Sequence, residues 1–147
     1  MNDKQSVHIQ FESVQDNETL KQQLLGEWYV KGKAIYITYE EQTEMGVVRN
    51  ILRYDAKELK IMRRGALNSE QIHRAHERLR GYYDNSYIKL ETEAYTHKLV
   101  IKDQHNGVII GLPSRLPFSL HWEYDLYSGD QSIGRFNLCL FLKEAIN

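Results

Sequence analysis

Residues 118–143 read FSLHWEYDLYSGDQSIGRFNLCLFLK, and the fold is decided by how this stretch is read. Phe118, Leu120, Trp122, Tyr124 and Leu126 alternate with Ser119, His121, Glu123, Asp125 and Tyr127, the period-two pattern of a strand with one buried face. From Ser132 a second strand follows, with Gly134, Phe136, Leu138, Leu140 and Leu142 on its apolar side. Laying the two apolar faces together puts Trp122 opposite Leu138 and Tyr124 opposite Phe136, because a slip of one residue would turn every side chain over. That register predicts an odd-length connection, Gly129-Asp130-Gln131, in which the glycine takes positive φ. Two paired strands of about twice the average length predict a curled sheet closing into a barrel rather than a flat sandwich.

Upstream, the same alternation recurs. Val7, Ile9 and Phe11 mark a strand over residues 6–14, and Gln15-Asp16-Asn17 is turn material. Glu18 to Lys31 reads as a long strand with Gly26 where it bends or where another segment comes close, although Leu20 to Leu25 also allows a helix. Ala34 to Thr43 and Val47 to Tyr54 form the next hairpin, turning at Met45-Gly46; its register stays open because both faces carry apolar residues. Leu59, Ile61 and Met62 follow. Between Asn68 and Gly81 the local spacing of Leu67, Ile72, Ala75 and Leu79, with a glycine at the end, predicts a helix, whereas every neighbour is a strand. Residues 87–95 alternate again, His97-Lys98 reads as a short connection, and Asn106-Gly107 predicts a two-residue hairpin that places Ile101 opposite Leu112. Pro113 to Pro117 is the only proline-bounded linker. The chain is therefore expected to be all-β, a closed antiparallel up-and-down β-barrel of about 8–10 strands that leaves no long edge unpaired.

At 147 residues, 41% hydrophobic and 27% charged, the chain has the size and composition of one globular domain, residues 1–147. Its net charge of −1 argues against a general nucleic-acid or membrane-surface binder. Nine Lys or Arg against four Asp or Glu nevertheless fall within residues 49–80. Arg49, Arg53, Arg74, Arg78 and Arg80 are the candidates for an anionic-partner patch, and carboxylates such as Glu41, Glu58, Glu70 and Glu77 are expected to intersperse with them. Cys139 is the single cysteine, so no intrachain disulfide forms. Without a signal-peptide pattern or a long apolar run, a soluble cytoplasmic protein is expected.

The order and spacing of several motifs resemble the YwiB-like family, small bacterial proteins of unknown function with a lipocalin-like, calycin-type barrel. They are Gly32 followed by Tyr36-Ile37-Thr38-Tyr39-Glu40-Glu41, then Ile61-Met62-Arg63-Arg64-Gly65, the pair Tyr82-Tyr83, residues Leu90 to Thr96, and Trp122 to Tyr127 with Gly134-Arg135-Phe136-Asn137. The resemblance implies strands between Asn68 and Gly81, turning near Ala75-His76-Glu77, and it implies no catalytic residue. Gly26-Glu27-Trp28 is also similar to the Gly-x-Trp of lipocalins, where the tryptophan closes one barrel end under a basic residue of the last strand; Arg135 or Lys143 would take that part.

Chemistry-bearing motifs are sparse. There is no Gly-x-Ser-x-Gly, phosphate loop, Rossmann glycine set or His-Glu-x-x-His, so no catalytic residue, metal or cofactor is assigned. His73 and His76 would share a face only on a helix; on strands both are expected to be solvated. His121 is expected on the polar face beside Glu123. What remains is architectural: a barrel of this size encloses either a packed core or a cavity for one small, partly apolar ligand. Ten tyrosines favour an amphipathic lining, for which Trp28, Tyr36, Tyr54 and Tyr124 are the candidates. The alternative is a filled barrel whose basic strands meet an acidic partner or RNA.

Overall fold

The computed structural model describes residues 3–146 and consists of ten antiparallel strands. They are β1 (Gln5–Gln15), β2 (Glu18–Lys31), β3 (Ala34–Thr43), β4 (Gly46–Tyr54), β5 (Leu59–Gly65), β6 (Asn68–His73), β7 (Arg78–Asp84), β8 (Lys89–Lys102), β9 (Phe118–Ser128) and β10 (Gln131–Glu144). Each pairs with its neighbours in sequence, and β1 pairs with β10, so the meander closes into one up-and-down barrel. Closure gives every strand two partners and removes the sticky edges an open meander would keep. The conflict between Asn68 and Gly81 is settled in favour of strands: β6 and β7 flank a turn at residues 74–77, in which His76 takes positive φ.

The decisive hairpin has the expected register, Trp122 opposite Leu138 and Tyr124 opposite Phe136. Its connection differs. Ser128 pairs with Gln131, leaving a two-residue Gly129-Asp130 turn, and the odd residue is absorbed by a bulge at Ile133. A bulge inside the strand restores the parity that the turn alone would break. A second bulge lies at His97, where a connection was expected; β8 runs through it without a break. His97 and Lys98 both stay outside, while Thr96 and Leu99 face Tyr124 and Trp122 inside.

The hairpin expected at Asn106-Gly107 does not form. Lys102 bridges Val108, and Asp103 organises a wider loop by accepting the amides of His105 and Gly107 on Oδ1. An Asx-type side chain competes here with the two-residue turn and wins. Residues beyond Val108 leave the sheet, so Ile110 is fully exposed rather than part of a strand.

The rest of that loop caps one end of the barrel: Ile109, Leu112 and Leu116 pack on the core formed there by Trp28, Ile35, Tyr54, Leu59, Ile101, Phe118 and Leu142. Trp28 meets Phe118 edge-on with centroids 5.0 Å apart and donates its indole N–H to Gln5 Oε1. It therefore closes one barrel end, but neither Arg135 nor Lys143 covers it. Arg135 grips Asp125 on the outer face, and Lys143 lies opposite the outward-facing His8. Gly26 lets β3 cross closely, since a Cβ there would sit 2.3 Å from the Thr38 carbonyl oxygen and 2.9 Å from Ile9 Cδ1.

Candidate functional site

The opposite end of the barrel stays open, and its interior is polar. On β5, alternation from Leu59 and Ile61 carries Arg63 inside the barrel, although the neighbouring Arg64 faces out to Glu70. The register aligns Tyr39, Asn50, Arg63 and Ser69 in one row across β3, β4, β5 and β6, with Glu41 one inward step from Tyr39. Arg63 donates from Nε to Asn50 Oδ1 at 3.1 Å and from Nη2 to Glu41 Oε1. Asn50, only 2% exposed, donates from Nδ2 to the same Glu41 oxygen at 3.1 Å. Each group in this triangle satisfies another, which offsets the cost of taking an ion pair partly out of water.

Above and beside the triangle lies a cavity of about 270 Å³. Phe11, Leu20, Leu52, Ile61, Trp122 and Leu138 give it apolar walls. Ser13, Gln22, Tyr39 and Tyr124 join Glu41, Asn50 and Arg63 as its polar lining. Burial pushes the Tyr124 phenol up to about 12, with Arg63 pulling slightly the other way. Burial, reinforced by the Glu41 charge, raises the Tyr39 phenol further. Both hydroxyls keep their protons at neutral pH and present O–H donors rather than phenolates. The cavity is slightly smaller than the roughly 300–1,000 Å³ of drug-sized sites, and it has their composition: apolar walls around a few convergent polar groups.

Of the aromatic residues expected to line the interior, only Tyr124 does so at the cavity. Trp28 and Tyr54 point inward but are packed into the closed end. Tyr36 is on the outer face, stacked on Tyr29 with centroids 5.2 Å apart, because the β3 register puts Ile35, Ile37 and Tyr39 inside. Arg63, Glu41, Asn50 and Tyr39 were missed. The available signal was the alternation of Leu59, Ile61 and Arg63, and of Ile35, Ile37, Tyr39 and Glu41, obscured because β3 and β4 carry apolar residues on both faces.

The candidate basic patch is spread over the outer surface and largely paired. Arg53 meets Asp55, Arg74 meets Glu58 and Glu77, and Arg78 meets Glu93 while lying 4.1 Å over the Tyr127 ring. Arg49 and Arg80 occupy exposed outward positions on β4 and β7. Glu70 bridges Lys60 and Arg64, whereas Glu41 is committed inside the barrel.

The histidines are also redistributed. His73, expected in solvent, is 1% exposed, bonds Thr96 Oγ1 at 2.9 Å and packs 4.4 Å from the Tyr124 ring. Burial brings its imidazole down to about 3, so it is neutral. His76 is in the exposed turn. On the outer face His121 bonds Ser119 at 2.9 Å and lies 3.7 Å from Cys139 Sγ, rather than pairing with Glu123. Burial, with Glu12 nearby, raises the Cys139 thiol, and burial lowers His121, so this contact holds a protonated thiol and not an activated nucleophile. Among the described residues no group of three or more His, Cys, Asp or Glu is placed to hold a metal ion, and no helix is long and apolar enough to cross a membrane.

The crystal structure of the ywiB protein from Bacillus subtilis superposes with a TM-score of 0.77 at 20% sequence identity, covering 99% of this chain and 94% of that one. At that identity the likeness establishes the barrel fold and nothing about its contents. No curated protein matches the sequence. Residues 5–140 match the domain of unknown function DUF1934, and the chain belongs to that family.

Proposed function

We propose that this protein is a non-enzymatic binding module that holds one small, partly apolar ligand in the open end of its barrel. The observation that carries this reading is the 270 Å³ cavity, in which apolar walls surround the Arg63, Glu41 and Asn50 triangle. A barrel interior is normally filled by apolar side chains when its only task is to be a core. Here a guanidinium, a carboxylate and a carboxamide are held at the mouth by cross-strand hydrogen bonds, the arrangement by which ligand sites fix orientation. The ion pairs that occupy Arg53, Arg74 and Arg78 weaken the case for the alternative, an acidic or RNA partner on the outer strands.

Titration of the native protein with N-phenyl-1-naphthylamine tests the reading. One saturable site is expected, with quenching of tryptophan emission because Trp122 lines the cavity. Leu138→Trp should fill the space and abolish that binding while leaving the far-ultraviolet circular dichroism unchanged. Binding confined to partly unfolded protein, or untouched by Leu138→Trp, refutes a ligand cavity.

A further inference from the structure

We infer that the ligand of this cavity is electrically neutral at its polar end and carries a hydrogen-bond acceptor and donor side by side, as a carboxamide, lactam or ureide does. This rests on the binding-module reading above and adds the chemical class. The triangle leaves particular atoms uncommitted. Arg63 uses Nε and Nη2, and Glu41 accepts both of its bonds on Oε1, so Arg63 Nη1 and Glu41 Oε2 have no hydrogen-bond partner among the described residues. The cavity therefore offers an N–H donor and a carboxylate acceptor from one linked pair, next to the Tyr39 and Tyr124 hydroxyls. An amide edge is complementary to that pair in hydrogen-bonding type: its carbonyl oxygen accepts a guanidinium N–H, and its own N–H donates to the carboxylate.

Charge excludes the simpler heads. The Arg63 and Glu41 charges cancel, and both side chains are largely shielded from water, with 28% and 17% of their surface exposed. A ligand carboxylate would gain the guanidinium but meet the Glu41 charge within the same few ångströms. A ligand ammonium would gain Glu41 and meet Arg63. Either also gives up its own hydration on entering the site. A neutral amide gives up far less and opposes neither charge, while Phe11, Leu20, Leu52, Ile61 and Leu138 take its apolar body.

The test uses three probes with one ring and different heads, benzamide, benzoate and benzylamine, each titrated in competition with N-phenyl-1-naphthylamine at pH 7. Benzamide is expected to bind at least tenfold more tightly than the other two. In Glu41→Gln the guanidinium loses its counter-charge, so benzoate should gain at least tenfold over benzamide; in Arg63→Gln benzylamine should gain instead. The wild-type order stands on its own if either variant fails to fold. Benzoate or benzylamine binding as tightly as benzamide overturns the inference while the naphthylamine site still supports the module. Absence of naphthylamine binding to native protein overturns both.

Discussion

His73 shows how far a single residue's role can depart from its local appearance. At the end of a short, mostly polar strand, between Ile72 and Arg74, it is nonetheless sealed in the barrel between Thr96 and Tyr124. An ordinary histidine takes up its proton near pH 6.5, and this one waits until about 3. The unfolded chain therefore binds more protons across that window, and folding stability falls as pH drops from 6.5 towards 3, by up to about 1.4 kcal/mol per pH unit. Urea midpoints measured between pH 7 and 4 should show that slope in the wild type and a shallower one in His73→Asn. At neutral pH His73→Ala should cost roughly 2–4 kcal/mol, since it leaves a void and an unpartnered Thr96 hydroxyl. Trp122→Ala should cost roughly 3–5 kcal/mol in the same measurement, because the 2% exposed indole sits among strands that cannot collapse onto the space. A near-neutral result for either would mean that its side chain is not inside.

At the scale of elements, the barrel is shaped by a few departures from regular pairing. The bulges at Ile133 and His97 each shift one residue, and the His97 bulge is tied down on the outside, where His97 Nε2 meets Asp125 Oδ2 at 2.7 Å. Arg135 completes that tie, and its hydrogen bond, followed by that of His97, brings the Asp125 carboxyl down to about 2. Two glycines separate close approach from backbone conformation. At Gly26 the obstacle is the Thr38 carbonyl itself, a backbone atom that cannot turn aside, so Gly26→Ala should destabilise by about 3 kcal/mol and disturb the β2–β3 pairing. Gly129 has φ of 60° and nothing within 4 Å of an added Cβ, so Gly129→Ala should cost only about 1–2 kcal/mol of left-handed strain. Chemical denaturation of the two variants side by side checks the order, and a Gly26→Ala protein at least as stable as Gly129→Ala would contradict the close crossing.

For the whole molecule, the asymmetry of the two barrel ends matters more than the net charge of −1. One end is plugged by the loop after β8, and the other holds polar groups around a cavity. On the outside, alternating arginines and carboxylates form local pairs, so few uncompensated cations face any one direction. Counterion release is then expected to be too small to drive phosphate binding at moderate salt. A filter-binding titration with single-stranded RNA at 150 mM salt should give no measurable affinity. Micromolar binding that weakens steeply with added salt would instead move function to the outer strands around Arg49 and Arg80.

The sequence by itself determined β1, β3 and the register of β9 with β10 through period-two alternation, and a long antiparallel meander has few ways other than closure to hide its edges. For β6 and β7 the local pattern read as a helix; only the family resemblance favoured strands, and the structure has strands there. Only the tertiary structure decided what lies inside. Alternation says which residues share a face, but where both faces mix apolar and polar residues, as on β3 and β4, it does not say which face is turned inward. Arg63 and Glu41 are tolerable inside a barrel only because they stand 22 positions apart in sequence and adjacent in space, with Asn50 between them. That mutual satisfaction is a property of cross-strand register, and no single strand contains it.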